Sequence, residues 1–160
     1  ILLPINTEGS NQLKEQILLK SCRNYPYNLG INLKQMPGDS FRLLSTSLVT
    51  FKIDNSTFIT RALREANLRA KLNMSSFIKL SEGFKRQNIK DIGFPIRING
   101  RIIKTNSQFK NKLRKRLADS YSLRGVREIA KCNKEGHYVK VTLEVTNETM
   151  RAADYIGNYQ

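Results

Sequence analysis

Eight cationic side chains, Arg97, Arg101, Lys104, Lys110, Lys112, Arg114, Lys115 and Arg116, lie between Ile96 and Leu117, and no Asp or Glu occurs between Asp91 and Asp119 to offset them. Guanidinium and ammonium groups at this density suit one kind of chemistry. They pair with the oxygens of a polyanion, Arg bidentately and Lys as a point charge, and each neutralised phosphate releases condensed counterions. The stretch begins as an alternating segment, with Ile96, Ile98 and Ile102 apolar and Arg97 and Arg101 expected on one face of the strand. It turns at Asn99-Gly100, then reaches a segment where Phe109, Leu113 and Leu117 are spaced by four. That spacing predicts a helix over 106–119 with a narrow buried stripe beneath a cationic outer surface.

The charge of the whole chain agrees with this focus. The 160 residues carry a formal +15. Residues 1–56 hold six basic and four acidic side chains, whereas residues 57–160 hold 22 and nine. Such an excess repels itself unless an anionic partner offsets it. Nucleic acid is the first candidate. An anionic membrane surface is a poorer one, because no segment joins a basic helix to exposed bulky apolar residues, and no apolar run approaches the roughly 18 residues of a membrane span. Seven Phe, six Tyr and 39% hydrophobic residues suffice for a packed core. The chain begins Ile-Leu-Leu-Pro without Met, as a processed or partial product would.

Enzyme signatures are scarce. Acidic residues are scattered, and there is no P-loop, GxGxxG or GxSxG. His137, the one histidine, sits beside Gly136 in an expected turn, without ligand neighbours. Cys22 and Cys132 are far apart and form neither a zinc pattern nor a disulfide framework. No catalytic residue, metal or cofactor is expected. A nuclease would need Asp91 brought together with Asp119 or Glu128 by folding. Among the aromatics, Tyr25, Tyr27, Phe41, Tyr121 and Tyr138 are candidates for stacking on bases. Phe58, Phe77, Phe84 and Phe109 fall on apolar stripes and read as core.

The elements that must position these residues follow from periodicity. Residues 1–11 read as a tail, with a short helix from Asn11. Residues 23–40 read as irregular wrapping with a short strand near Ile31–Leu33, and residues 41–53 as a strand. A helix over 58–72 is capped by Ser56 or Thr57 and broken at Asn73-Met74-Ser75-Ser76, and a second helix spans 77–89. The strand 96–103 follows. Val126–Cys132 is a short strand or helix. Tyr138–Val145, with Val139, Val141, Leu143 and Val145 alternating against polar residues, is the strongest strand, and 129–145 reads as a hairpin. Residues 146–160 read as a polar tail.

From the first clear helix onward, the order of parts resembles the small-subunit ribosomal protein S3 family. Ala62–Leu72 is similar to that family's first helix, Ser76-Phe77 to the step after it and Phe77–Ile89 to its basic helix. Gly93-Phe94-Pro95-Ile96-Arg97-Ile98-Asn99-Gly100-Arg101-Ile102 resembles its G-I-(K/R)-I-x-(V/I)-x-G-R-(L/I) strand, and Tyr138–Leu143 its closing strand. The likeness covers about half of the chain. No GxxG loop occurs in residues 1–56, and residues 104–137 match poorly. The resemblance implies an S3-type sheet bound to small-subunit rRNA, with Arg97 and Arg101 as strand residues of the motif. The richness in Asn, Ile and Lys suits an organellar member.

The expected fold is α+β, a small mostly antiparallel sheet with two to three helices packed on one face. The expected organisation is an N-terminal extension over 1–56, a basic RNA-binding domain over 57–145 and a tail over 146–160. The expected function is that of a structural, non-enzymatic RNA-binding component of the mitochondrial ribosomal small subunit. Its partners would be rRNA and other ribosomal proteins, with no membrane and no small-molecule substrate. The alternative is a viral capsid or nucleocapsid protein of the virion, packaging nucleic acid through the same basic surface.

Overall fold

A computed structural model describes residues 21–38, 40–81, 92–104 and 125–158, with side chains described to 79 in the second segment and to 152 in the last. The fold is α+β. After a 3-10 turn at Cys22–Asn24 come β1 (Gly30–Gln35), β2 (Phe41–Thr50), α1 (Ser56–Ser81), β3 (Ile96–Ile98), β4 (Arg101–Ile102), β5 (Arg127–Lys134), β6 (Tyr138–Thr146) and α2 (Asn147–Asn158). The strands form one mixed sheet in the order β4-β3-β1-β2-β6-β5. The β1–β3 pair is parallel and the other pairs are antiparallel.

Strand alternation sorts the sheet into two faces. Ile31, Leu33, Phe41, Leu43, Val49, Ile96, Val139, Val141, Leu143 and Val145 belong to the core cluster with α1. The helix presents Ile59, Ala62, Ala66, Ala70, Met74 and Phe77 to it, all buried and three or four residues apart. The small alanines let the helix lie close to the sheet, and the buried Ser45 hydroxyl donates to the Ala70 carbonyl at 2.8 Å.

This stripe explains why α1 is one helix of 26 residues rather than two with a break at Asn73–Ser76. Asn and Ser are weak helix formers, but the cost is a few tenths of a kcal/mol each, about 0.7 at most. Burying Met74 and Phe77 contributes about 1.5–3 kcal/mol apiece. The Asn73 amide also donates to the Ser47 hydroxyl at 3.3 Å. The N-cap is Asn55, ahead of both expected caps, Ser56 and Thr57, with its side chain accepting from Phe58 N–H at 3.0 Å.

Further differences concern the ends of the chain. β1 and β2 arise from the stretch expected to be a wrapping extension, yet lie inside the sheet that residues 96–146 complete. The expected polar tail opens as helix α2, where the Thr146 hydroxyl accepts from Thr149 N–H at 3.1 Å and Asn147 Oδ1 accepts from Phe41 N–H at 2.6 Å. Val126–Cys132 resolves as strand, and the 129–145 hairpin is β5–β6. Phe41, expected to stack on bases, is core at 4% exposure, while Phe58, expected in the core, is 36% exposed.

Asn99 and Gly100 have φ of 51° and 82°. This is the left-handed pair that a two-residue hairpin turn requires. The expected single strand 96–103 is therefore a hairpin, β3–β4. Gly30, φ 88°, is required at the start of β1. A Cβ there would lie 2.1 Å from the Pro95 carbonyl oxygen, which accepts from Ile31 N–H at 2.9 Å.

Candidate nucleic-acid interface

The sheet face away from α1 is where charge and aromatic rings meet. Its residues form rows across the strands. One row runs Arg97, Asn32, Leu44, Glu144, Arg127. To one side lies Lys34, Arg42, Thr146; to the other lie Thr46 with Thr142, then Leu48, Lys140, Cys132, and then Thr50, Tyr138, Lys134. The cations on this face are thus Lys34, Arg42, Arg97, Arg127, Lys134 and Lys140, and Glu144 is the one acid in these rows.

The segment 22–29 crosses the middle of this face. Cys22 is joined to Cys132 by a disulfide, with Cα atoms 5.0 Å apart and 110 residues between them in sequence. This corrects the expectation that the two cysteines form no disulfide framework. Folding brings the start of the described chain against β5, where Ser21 makes an isolated parallel bridge with Asn133. The Tyr25 hydroxyl hydrogen-bonds the Thr142 hydroxyl at 2.5 Å, which in turn meets that of Thr46 at 2.7 Å. Burial dominates the Tyr25 phenol and pushes its pKa up to about 12. The Tyr27 phenol lies near the Arg42 guanidinium and helps raise its pKa, and the Asn28 carbonyl accepts from the Asn32 side chain at 3.2 Å.

Glu144 is buried between two guanidinium groups. Arg42 Nε donates to one carboxylate oxygen at 2.5 Å and Arg127 Nη2 to the other at 2.8 Å. Burial pushes this carboxyl up, and the hydrogen bonds from Arg127 and Arg42 outweigh it, so its pKa lies below the ordinary glutamate value. The same pairing raises that of Arg42. Two cations around one buried anion leave a net positive charge facing outward. At the other end, the Lys140 ammonium lies 5.6 Å from the ring centroids of both Tyr25 and Tyr138. Lys134 lies 5.6 Å from that of Tyr138, within cation–π range.

The structure separates the residues expected to act together. Arg97 faces this surface through its pairing with Asn32 and Ile102, whereas Arg101 pairs with Ile98 and so takes the helix-side face at the sheet's end. The expectation that both share one face fails because the Asn99-Gly100 turn reverses the chain between them. Lys104 is exposed just past β4. Lys110, Lys112, Arg114, Lys115 and Arg116 lie outside the described residues, as do Tyr121, Phe84, Phe109 and the expected helices over 77–89 (beyond Ser81) and 106–119. Lys34, Arg42, Arg127, Lys134 and Lys140 went unnoticed in sequence because each is isolated there; strand pairing gathers them.

Glu128, the carboxylate a nuclease would need, accepts from the Asn67 amide at 2.8 Å and lies 3.8 Å from the Lys131 ammonium. Among the described residues no group of three His, Cys, Asp or Glu side chains could hold a metal ion, and no helix is long and apolar enough to cross a membrane. Compared with known proteins, the chain matches no family model, no curated protein and no solved structure.

Proposed function

We propose that the chain is a structural RNA-binding protein that holds its ligand through the cationic, tyrosine-bearing face of the sheet together with the basic block Lys110–Arg116. The observation that carries this is the composition of that face: six cations in adjacent rows, aromatic rings between them, and one acid held by two of the cations. A surface of this kind pairs with phosphates along a backbone and offers rings to unpaired bases. Within this reading, and resting on the S3-type resemblance of the Gly93–Ile102 stretch, the ligand is small-subunit rRNA of a mitochondrial ribosome and the neighbours are other ribosomal proteins.

The test is fluorescence anisotropy with RNA across a salt series. Reversal of Lys34, Arg97, Lys134 and Lys140 to Glu, and separately of Lys112, Arg114, Lys115 and Arg116, should each weaken binding by orders of magnitude and flatten the salt dependence. Unchanged binding in both variants overturns the proposal.

A second reading, a virion protein that packages nucleic acid, has the Cys22–Cys132 bond in its favour. Disulfides persist at virion surfaces and in other oxidising settings and are rare where thiols are kept reduced. The two readings part on assembly: one copy within a particle of many different chains, or a uniform shell of this chain.

A further inference from the structure

A cleft of about 650 Å³ opens between the segment 21–27 and the outer strand β5. That volume is in the range that takes a molecule the size of a nucleotide. Tyr25, Pro26 and Tyr27 form one wall, and Ile129 and Ala130 the other. The strand is irregular here: its register with β6 shifts between Glu128 and Ala130, leaving Ile129 without a cross-strand partner, and such a bulge re-aims side chains. The Tyr25 and Tyr27 rings stand edge to face, centroids 5.6 Å apart at 75°. Tyr25 is fixed by Thr142 from below, and both rings are half-buried.

Ser21, Asn24, Glu128 and Lys131 also line the cleft, the last two paired at 3.8 Å. Arg127, on the same strand and on the sheet face away from α1, is 63% exposed. A slot with an aromatic wall, an aliphatic wall, amide and hydroxyl groups in its lining and an exposed guanidinium beside it matches a flat heterocycle carried on a phosphodiester chain.

We propose that this cleft takes one unpaired nucleobase of the bound RNA, stacked on Tyr27, with Arg127 on a flanking phosphate. The proposal rests on the RNA-binding reading and deepens it, since it makes the protein distinguish single-stranded or bulged RNA from continuous duplex.

The experiment uses the full chain with two RNA probes of equal phosphate number: a single strand carrying one 2-aminopurine, and a blunt duplex. The variants are Tyr27→Leu, which removes the stacking ring, Tyr27→Phe, which removes only the hydroxyl, and Ala130→Phe, which fills the slot. Each is checked for an unchanged thermal midpoint, and those that melt early are replaced by competition of the wild type with free AMP. Tyr27→Leu and Ala130→Phe should lose about tenfold in single-strand affinity, with duplex affinity and salt slope unchanged. Tyr27→Phe should bind as the wild type, AMP should compete only for the single strand, and 2-aminopurine emission should be quenched on wild-type binding. If the wild type binds both probes but these variants or AMP make no difference, the cleft is not a base site and the RNA-binding reading stands. If the wild type binds neither probe, both fall.

Discussion

Removing the Cys22–Cys132 bond should cost a large share of this fold's stability. The bonded residues are 110 apart in sequence. In the chain-entropy treatment, closing a loop of that length in the unfolded state stabilises the native state by about 5 kcal/mol at 25 °C. Domains of ordinary stability have about 5–15 kcal/mol in all, so the reduced protein should sit near the edge of folding. With urea sensitivities of about 1–3 kcal/mol per molar, the midpoint should fall by about 2–5 M. At about 2–4 °C per kcal/mol for a chain of this size, Tm should fall by about 10–20 °C. The assay is urea unfolding followed by circular dichroism on three samples: oxidised protein, the same protein in excess dithiothreitol, and the double variant Cys22→Ala/Cys132→Ala. The reduced and variant curves should coincide, both well below the oxidised one, and the denatured oxidised protein should show no free thiol. Two titratable thiols in protein purified without reductant, or three coincident curves, would refute the reasoning.

Other positions give sharper, local outcomes. Glu144→Gln should remove the acid limb of the stability profile. In the wild type the carboxyl has a depressed pKa, so its stabilisation is full above the ordinary glutamate value of 4.5 and is lost as pH falls through the folded value. The variant should show a flatter profile there, read by urea midpoints across pH. On the RNA-binding reading it should also bind more tightly at neutral pH, its log–log salt slope steeper by up to about 0.7 on single strands. Gly30→Ala should cost at least about 2 kcal/mol, because it combines a left-handed backbone with a side chain thrust against the Pro95 carbonyl; a denaturation midpoint equal to wild type would show that β1 and β3 can move apart freely. Val141→Asp should cost more than about 4 kcal/mol by burying an unpaired charge under α1, and a cooperatively folded variant would remove β6 from the core.

Local pattern made parts of this structure readable in advance. The alternation of Val139, Val141, Leu143 and Val145 is strict, and the Asn99-Gly100 pair has few conformations open to it besides a tight turn. What periodicity could not reveal was settled by contacts distant in sequence. Asn73–Ser76 stays helical because Met74 and Phe77 are buried against the sheet, a tertiary gain that outweighs weak propensity. Cys22 and Cys132 had no spacing to announce them, since their approach depends on residues 21–29 folding back over a strand more than a hundred positions later. The charge on the far face was equally hidden. Arg42, Arg127 and Lys140 are ordinary solitary cations in sequence and become neighbours only through the β2–β6 and β5–β6 ladders. The conspicuous run Lys110–Arg116, by contrast, lies outside the described residues.

The placement of β6 between β2 and β5 has a consequence for how the protein is made. β2 leaves the ribosome early and has β1 already available to pair with, but its other edge is completed only by β6, with Thr46 and Thr142 meeting across 96 positions. At about 5–20 residues per second, the half-sheet waits about 5–20 s for its partner. During that interval Leu43 and Val49 have at most α1 to cover them, and the open edge of β2 is a template for pairing with any other extended chain. Synthesis speed and chaperone occupancy over residues 50–138 should therefore govern the soluble yield of this protein more strongly than the stability of the finished fold.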